Sequence, residues 1–176
     1  LDLLYDHAMA AEKVERYDVL ESNLRKLIEI RPDNAHAYNA LGYTLADRKL
    51  QLSRAEKLIR AALAQRPDNA AFIDSLGWVR YRRNDLKSAR TLLTRAYALS
   101  RQAEIAAHLG EVLWAMGQKD EARRIWREGR QRDGGRNLRV TVHQNARVAR
   151  HAGSPCVSAN PWWCFHVGNG IPETPS

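Results

Sequence analysis

Apolar residues recur at helical spacing through most of this chain, from residue 3 to residue 126. The pattern is interrupted at turn signals: Pro32 and Pro67, each followed by Asp-Asn, then Asn84 and Gly117. Short connections between the resulting segments favour antiparallel neighbouring helices. The pattern predicts no strand in this region and eight helices, at about 2–15, 18–31, 34–48, 53–66, 69–83, 85–99, 102–116 and 119–132.

The same short sequence frame occurs three times along the chain. Residues 35–42 read AHAYNALG, residues 70–77 read AAFIDSLG, and residues 103–110 read AEIAAHLG, so that Ala-x5-Leu-Gly returns after 35 and then 33 residues. A period of this length is typical of stacked helical units, each of which buries its apolar face against the next. The repeat therefore predicts that function lies in a surface shared by several units.

Small and large apolar residues follow the Leu-Gly pairs in phase. The small residues are Ala55, Ala89 and Ala122, and the large residues four places later are Ile59, Leu93 and Trp126. We expect glycine and alanine to let the two helices of a unit approach closely, while the large residue fills the gap to the next unit. Ser53 and Glu56 have the spacing of a capping box, which predicts the start of a helix.

This combination resembles the tetratricopeptide repeat, a unit of two helices and 34 residues. The resemblance implies an all-α, right-handed α-solenoid of about four helix-turn-helix units, at about 1–34, 35–69, 70–102 and 103–136. The first unit departs from the family pattern, since His7-Ala8 stands where Leu-Gly is expected.

Residues 137–176 have a different character, with four prolines, three glycines and a single acid. We expect an irregular or disordered tail there. A second interpretation is that this tail is not native to the family.

Three stretches, NALGYTLADR, DSLGWVRYR and AEIAAHLGEVLW, resemble the C-terminal repeats of proteobacterial tetratricopeptide lipoproteins. Some of those proteins are periplasmic adaptors for a protease that degrades cell-wall hydrolases. The resemblance implies an envelope scaffold in the periplasm or at the outer membrane, with that protease and its substrates as partners. Without it, a cytoplasmic location stays open. The chain begins inside a helical pattern, so we expect any signal peptide or lipid anchor upstream of Leu1.

In this family the first helix of each unit lines the concave side of the superhelix. Large aromatic side chains there supply contact area for an extended peptide or a partner helix. An alternative is that Trp78 and Trp114 pack between neighbouring first helices and are mostly buried. The same family positions also hold Glu12, Lys13 and Glu104. Carried onto this chain, the family positions predict a partner-binding groove formed by Tyr5, Met9, Asn39, Tyr43, Asp74, Trp78, Tyr81, Arg82, Glu111 and Trp114.

The formal net charge of +8 allows a second function, binding of nucleic acid or of an anionic membrane surface. Residues 80–101 hold seven Arg or Lys and one acid, and the candidate contacts are Arg80, Arg82, Arg83, Lys87 and Arg90. No stacking aromatics alternate with these cations as a single-strand binder requires, so we favour a solvated basic face.

No motif for catalysis, phosphate binding or metal binding is present in the sequence. Cys156 and Cys164 are separated by seven residues, which does not fit a zinc knuckle even with His151 and His166 nearby. The histidines of the repeats, including His108, read as surface or packing residues. We therefore expect a non-enzymatic protein with no cofactor, no metal and no small-molecule substrate.

Overall fold

A computed structural model describes residues 2–132 of the 176-residue chain. The predictions made for the tail, including its cysteines, lie outside the described residues. Within them the fold is all-α, with no strand, as predicted. The helices are α1 (Asp2–Lys13), α2 (Tyr17–Ile30), α3 (Ala35–Asp47), α4 (Leu52–Gln65), α5 (Ala70–Arg82), α6 (Leu86–Leu99), α7 (Ala103–Ala115) and α8 (Lys119–Arg132).

The predicted breaks mark the helix ends because their side chains complete the backbone hydrogen bonding. Asn34 Oδ1 accepts a hydrogen bond from the backbone N–H of Ala37 at 3.0 Å, and Asn69 Oδ1 accepts one from Phe72 at 3.2 Å. Each satisfies one of the free N–H groups in the first helical turn. Gly117 follows α7 with φ +81°, a left-handed conformation that favours glycine.

The predicted capping box at Ser53 is wrong. Helix α4 begins at Leu52, after Gln51 in a left-handed conformation, and no side chain caps it. Ser53 Oγ instead accepts a hydrogen bond from Arg83 at 3.0 Å, and Glu56 forms an ion pair with Arg83 at 3.0 Å. The two cap-like residues are therefore used to join α4 to the end of α5.

The glycines of the Leu-Gly pairs bring the two helices of a unit into direct contact. A Cβ atom on Gly42 would lie 2.7 Å from Ile59 Cγ1 and 2.9 Å from the carbonyl oxygen of Ala55, and one on Gly77 would lie 2.7 Å from Leu93 Cγ. These distances are shorter than van der Waals contact, so only glycine fits this spacing.

The large residue of each second helix lies against the glycine of its own unit, and Ile59 and Leu93 also belong to buried clusters that include residues of the next unit. Ile59 packs on Gly42 and Leu93 on Gly77, and both side chains are fully buried. In the fourth unit Trp126 lies against Gly110, and its indole N–H donates to the carbonyl of Ala107 at 3.2 Å.

The units stack so that successive first helices are neighbours: α3 packs on α5, and α5 on α7. Each second helix also contacts the first helix that follows it, as α2 does α3 and α4 does α5. Among the described residues, no helix is both long enough and apolar enough to cross a membrane. The stack leaves one face of α1, α3, α5 and α7 free to form a common wall.

Candidate functional site

A cavity of about 720 Å³ opens on the face formed by the first helices. All four units contribute to it, and residues from the turn before α7 and from the end of α8 border it. Its lining residues are Tyr5, Met9, Glu12, Lys13, Asn39, Ala40, Tyr43, Thr44, Ala71, Asp74, Ser75, Arg101, Gln102, Ala103, Glu104 and Arg132.

Half of the predicted groove residues line this cavity. They are Tyr5, Met9, Asn39, Tyr43 and Asp74. The other five do not, and these are Trp78, Tyr81, Arg82, Glu111 and Trp114. The division follows position along the helices, because the residues outside the cavity lie in the C-terminal halves of α5 and α7.

A buried polar pair lies beneath the cavity. Asp74 in α5 and His108 in α7 are 4% and 0% exposed, and Asp74 Oδ2 lies 2.9 Å from His108 Nδ1. Burial alone would lower the pKa of His108, but the Asp74 carboxylate, through its charge and its hydrogen bond, raises it to about 9. His108 is therefore a cation at neutral pH, and it neutralises the buried carboxylate.

Tyr43 extends this pair to the cavity wall. Its hydroxyl lies 3.3 Å from His108 Nε2, and a histidine that is protonated on both nitrogens donates there. Burial raises the pKa of Tyr43 well above its usual value, and the carboxylates of Asp47 and Glu104 add to the shift. The hydroxyl is therefore neutral throughout the range in which His108 titrates.

Trp78 is fully buried, so it cannot serve as the exposed groove contact that we predicted. Its ring stacks on His108 with centroids 4.1 Å apart, and its indole N–H donates to Asp47 Oδ1 at 3.2 Å. The structure thus supports the alternative that this tryptophan packs between neighbouring first helices. Trp78 therefore lies in the layer beneath the cavity and not on its wall.

Arg82 and Tyr81 belong to the same layer. Arg82 Nη2 lies 3.2 Å from Asp47 Oδ1 and also donates to the Asp47 carbonyl, while its guanidinium lies over the Trp78 ring. Tyr81 is half-buried against Trp78, and burial raises its pKa to about 12. Arg82 joins α3 to α5, and neither Arg82 nor Tyr81 lines the cavity.

Trp114 and Glu111 lie on α7 beyond the cavity. Trp114 packs on Trp126 with ring centroids 5.7 Å apart, and the cations of Lys119 and Arg123 lie over its ring. The half-buried Trp114 is therefore part of the contact between α7 and α8. The Glu111 carboxylate contributes to the raised pKa of Tyr81, after burial.

Two carboxylates on the cavity wall have raised pKa values. Burial raises the pKa of Glu12 first, and the charges of Asp47 and Glu104 raise it further. Glu104 is exposed at the concave surface, yet the protein around it displaces enough solvent to raise its pKa, and Asp74 and Asp47 add to this while His108 opposes it. The first and the last of the four first helices therefore place anions around one space.

The sequence did not reveal that His108 pairs with Asp74 and contacts Tyr43. A usable signal was its separation of 34 residues from Asp74, because one repeat length places an acid and a histidine on adjacent first helices. Arg101, Gln102 and Arg132 were missed because they lie outside the first helices. They reach the cavity because the turn before α7 and the end of α8 both lie at its border.

Much of the basic stretch is engaged in ion pairs. Arg80 lies 2.6 Å from Glu56, Arg83 lies 3.0 Å from the same carboxylate, and Arg82 is held by Asp47. The side chains of Lys87 and Arg90 are exposed. A continuous cationic surface for nucleic acid or lipid is thus interrupted at three of its five predicted residues. Among residues 2–132, no group of three or more His, Cys, Asp or Glu side chains is arranged to hold a metal ion.

No protein-family model matches the chain. A TPR repeat-containing protein of Pseudomonas aeruginosa is 48% identical over 111 residues, which are 63% of this chain and 19% of that protein. The chain thus spans about a fifth of the length of this curated relative.

Solved structures share the fold at lower identity. A thermophilic TPR protein of Thermus thermophilus is 22% identical with a TM-score of 0.68, over 85% of this chain and 79% of that chain. MamA from Desulfovibrio magneticus RS-1 is 19% identical with a TM-score of 0.60, over 76% of each chain. Together with the three Leu-Gly contacts and the stacked helix pairs, these likenesses show that the described part of this chain has the fold of a tetratricopeptide-repeat solenoid.

Proposed function

We propose that this chain is a non-catalytic scaffold that binds a peptide or a helix of a partner protein in its concave cavity. The observation that carries the proposal is the cavity itself, to which all four units contribute side chains. Tyr5, Met9 and Tyr43 supply half-buried apolar and aromatic surface, and Asn39 supplies an amide. Such a mixture suits recognition of a peptide, because aromatic side chains give contact area and polar groups give register.

The layer beneath the cavity supports the proposal by making the wall rigid. Asp74, His108, Trp78 and Asp47 form consecutive contacts across α3, α5 and α7. A wall that is ordered before binding loses less conformational entropy when a partner docks.

Selection from a random peptide library against the full chain, followed by calorimetry, tests this function. We expect Met9→Ala and Asn39→Ala each to weaken a selected peptide by about 10-fold, the scale of an interface hot spot. Leu99→Ala is the matched control, since Leu99 is an exposed apolar residue outside the cavity. Failure to select any peptide, or equal affinity in all three variants, would contradict a peptide-binding groove.

The envelope setting is a separate proposal that rests on the sequence resemblance to proteobacterial lipoproteins. A periplasmic protease and its substrates are the partners that this resemblance implies. Cell fractionation followed by immunoblotting of the whole natural protein tests the location. Recovery in the cytoplasmic fraction alone would contradict it and would leave the groove proposal unaffected.

A further inference from the structure

Two carboxylates on the cavity wall have no partner in the part of the chain that the structure describes. Glu12 and Glu104 form neither a hydrogen bond nor an ion pair with another residue among 2–132. They lie on α1 and α7, the first and last of the helices that line the cavity. After burial, other acids raise the pKa of both carboxylates, and His108 opposes the shift at Glu104.

The other acids around the cavity are already neutralised. Asp74 is paired with His108 at 2.9 Å, and Asp47 is paired with Arg82 at 3.2 Å. Neither His108 nor Arg82 is therefore available to balance the charge of Glu12. The cations that border the cavity, Lys13, Arg101 and Arg132, are all exposed, whereas Glu12 is half-buried.

The cavity also holds an unused hydrogen-bond acceptor. Asn39 lines it, and the amide oxygen of Asn39 is buried without a donor among the described residues. A buried acceptor without a donor is destabilising, so an occupant that brings an N–H donor to it would gain affinity. The oxygen has almost no accessible surface, so such a donor would reach it only after the amide rotates. Carboxylates and an amide oxygen all accept hydrogen bonds, so together they favour binding of a cationic group with several N–H donors.

From this arrangement, and resting on the proposed function, we infer that the occupant is a segment of a partner protein whose lysine or arginine side chain enters the cavity between Glu12 and Glu104. The cation would balance the two carboxylates where solvent is partly displaced, which makes a charged pair stronger than on an open surface. The exposed cations at the border would favour acidic residues on either side of that side chain. Charge thereby fixes the register of the bound segment.

The chain itself contains a second source of arginine. Residues 136–150 carry four arginines and no acid, and they follow Arg132, which borders the cavity. Occupation by this segment would mean that the cavity recognises its own chain. The test therefore has to separate these two occupants.

The experiment starts from peptides selected against the full chain and measures their affinity by fluorescence anisotropy. We expect the selected sequences to share a central Lys or Arg, and replacement of that residue by Gln to weaken binding about 10-fold. In the double variant Glu12→Gln/Glu104→Gln, replacing the central Lys or Arg of the peptide by Gln should lower affinity by less than about 3-fold, because the two carboxylates that pair with it are gone. The control Glu29→Gln/Asp68→Asn removes equal charge outside the cavity and should keep the full effect of about 10-fold.

Each outcome decides the point. Selected peptides without a cation, or equal effects in both double variants, would overturn the cationic occupant and leave a peptide-binding groove standing. Absence of any selected peptide would overturn the groove together with its occupant. A full chain with Arg136, Arg139, Arg147 and Arg150 all changed to Gln should bind the peptide as the original does; a gain of about 10-fold or more would identify the chain's own segment as the occupant.

Discussion

Contacts inside a helix pair differ in chemistry from contacts between successive first helices. Inside the pairs, a glycine meets a large apolar residue in the same way three times, as Gly77 does Leu93. Between first helices, the contacts include polar pairs that change at each step, from Asp47 with Trp78 to Asp74 with His108. The repeated contact holds each helix pair together in the same way, whereas the changing contacts give this solenoid its own concave wall.

The largest expected effect comes from removing the residue at the centre of the changing contacts. We expect Trp78→Ala to lower the free energy of unfolding by about 3–5 kcal/mol, because it deletes a fully buried ring and leaves a cavity. Urea denaturation followed by circular dichroism measures the change. A loss below about 1 kcal/mol would mean that Trp78 is a surface residue after all.

The pair of Asp74 and His108 makes stability depend on pH. The pKa of His108 is raised to about 9 in the folded protein from an ordinary value of 6.5, so its contribution is complete below pH 6.5 and is lost as pH rises through 9. A shift of this size corresponds to about 3 kcal/mol. Denaturation at pH 6.5, 8 and 9.5 measures the fall.

The substitution Asp74→Asn should flatten that pH dependence between 6.5 and 9. It should also destabilise the protein at pH 6.5, because the buried cation loses its partner. A variant that keeps the original slope would show that another group, and not this pair, titrates in that range.

The repeated glycine contact should yield an intermediate effect. We expect Gly77→Ala to cost about 1–3 kcal/mol, because the new Cβ would lie 2.7 Å from Leu93 Cγ and the helices would have to separate. In the background Leu93→Ala, the same substitution should cost less, since the opposing side chain is gone. Equal costs in both backgrounds, compared by a double-mutant cycle, would contradict a direct contact.

The smallest effect is expected where a charge belongs to neither class of contact. Asp68 is 80% exposed and pairs with Arg95, which is itself half exposed. Asp68→Ala should therefore change stability by less than about 0.5 kcal/mol. A larger loss in the same denaturation assay would show that surface ion pairs contribute to holding successive units together.

The sequence by itself determined the helices, their pairing and the length of the repeat. Period, turn residues and the Leu-Gly frame are local signals, and Gly42, Gly77 and Gly110 report a contact within one unit. It also placed Tyr5, Met9, Asn39, Tyr43 and Asp74 on the concave face, through the register of each first helix. The capping box at Ser53 failed because a longer-range ion pair between α4 and α5 competed for Glu56.

Only the tertiary structure decided which concave residues are buried and which remain open. Trp78 and Arg82 have the same register as residues that line the cavity, but the stacking of α3, α5 and α7 encloses them around Asp47. Likewise, the ionisation of His108 depends on a carboxylate from another unit, 34 residues away. Burial and charge pairing depend on neighbouring side chains from other units of the stack. A periodic sequence specifies that those neighbours exist, but it does not specify how deeply each side chain is buried.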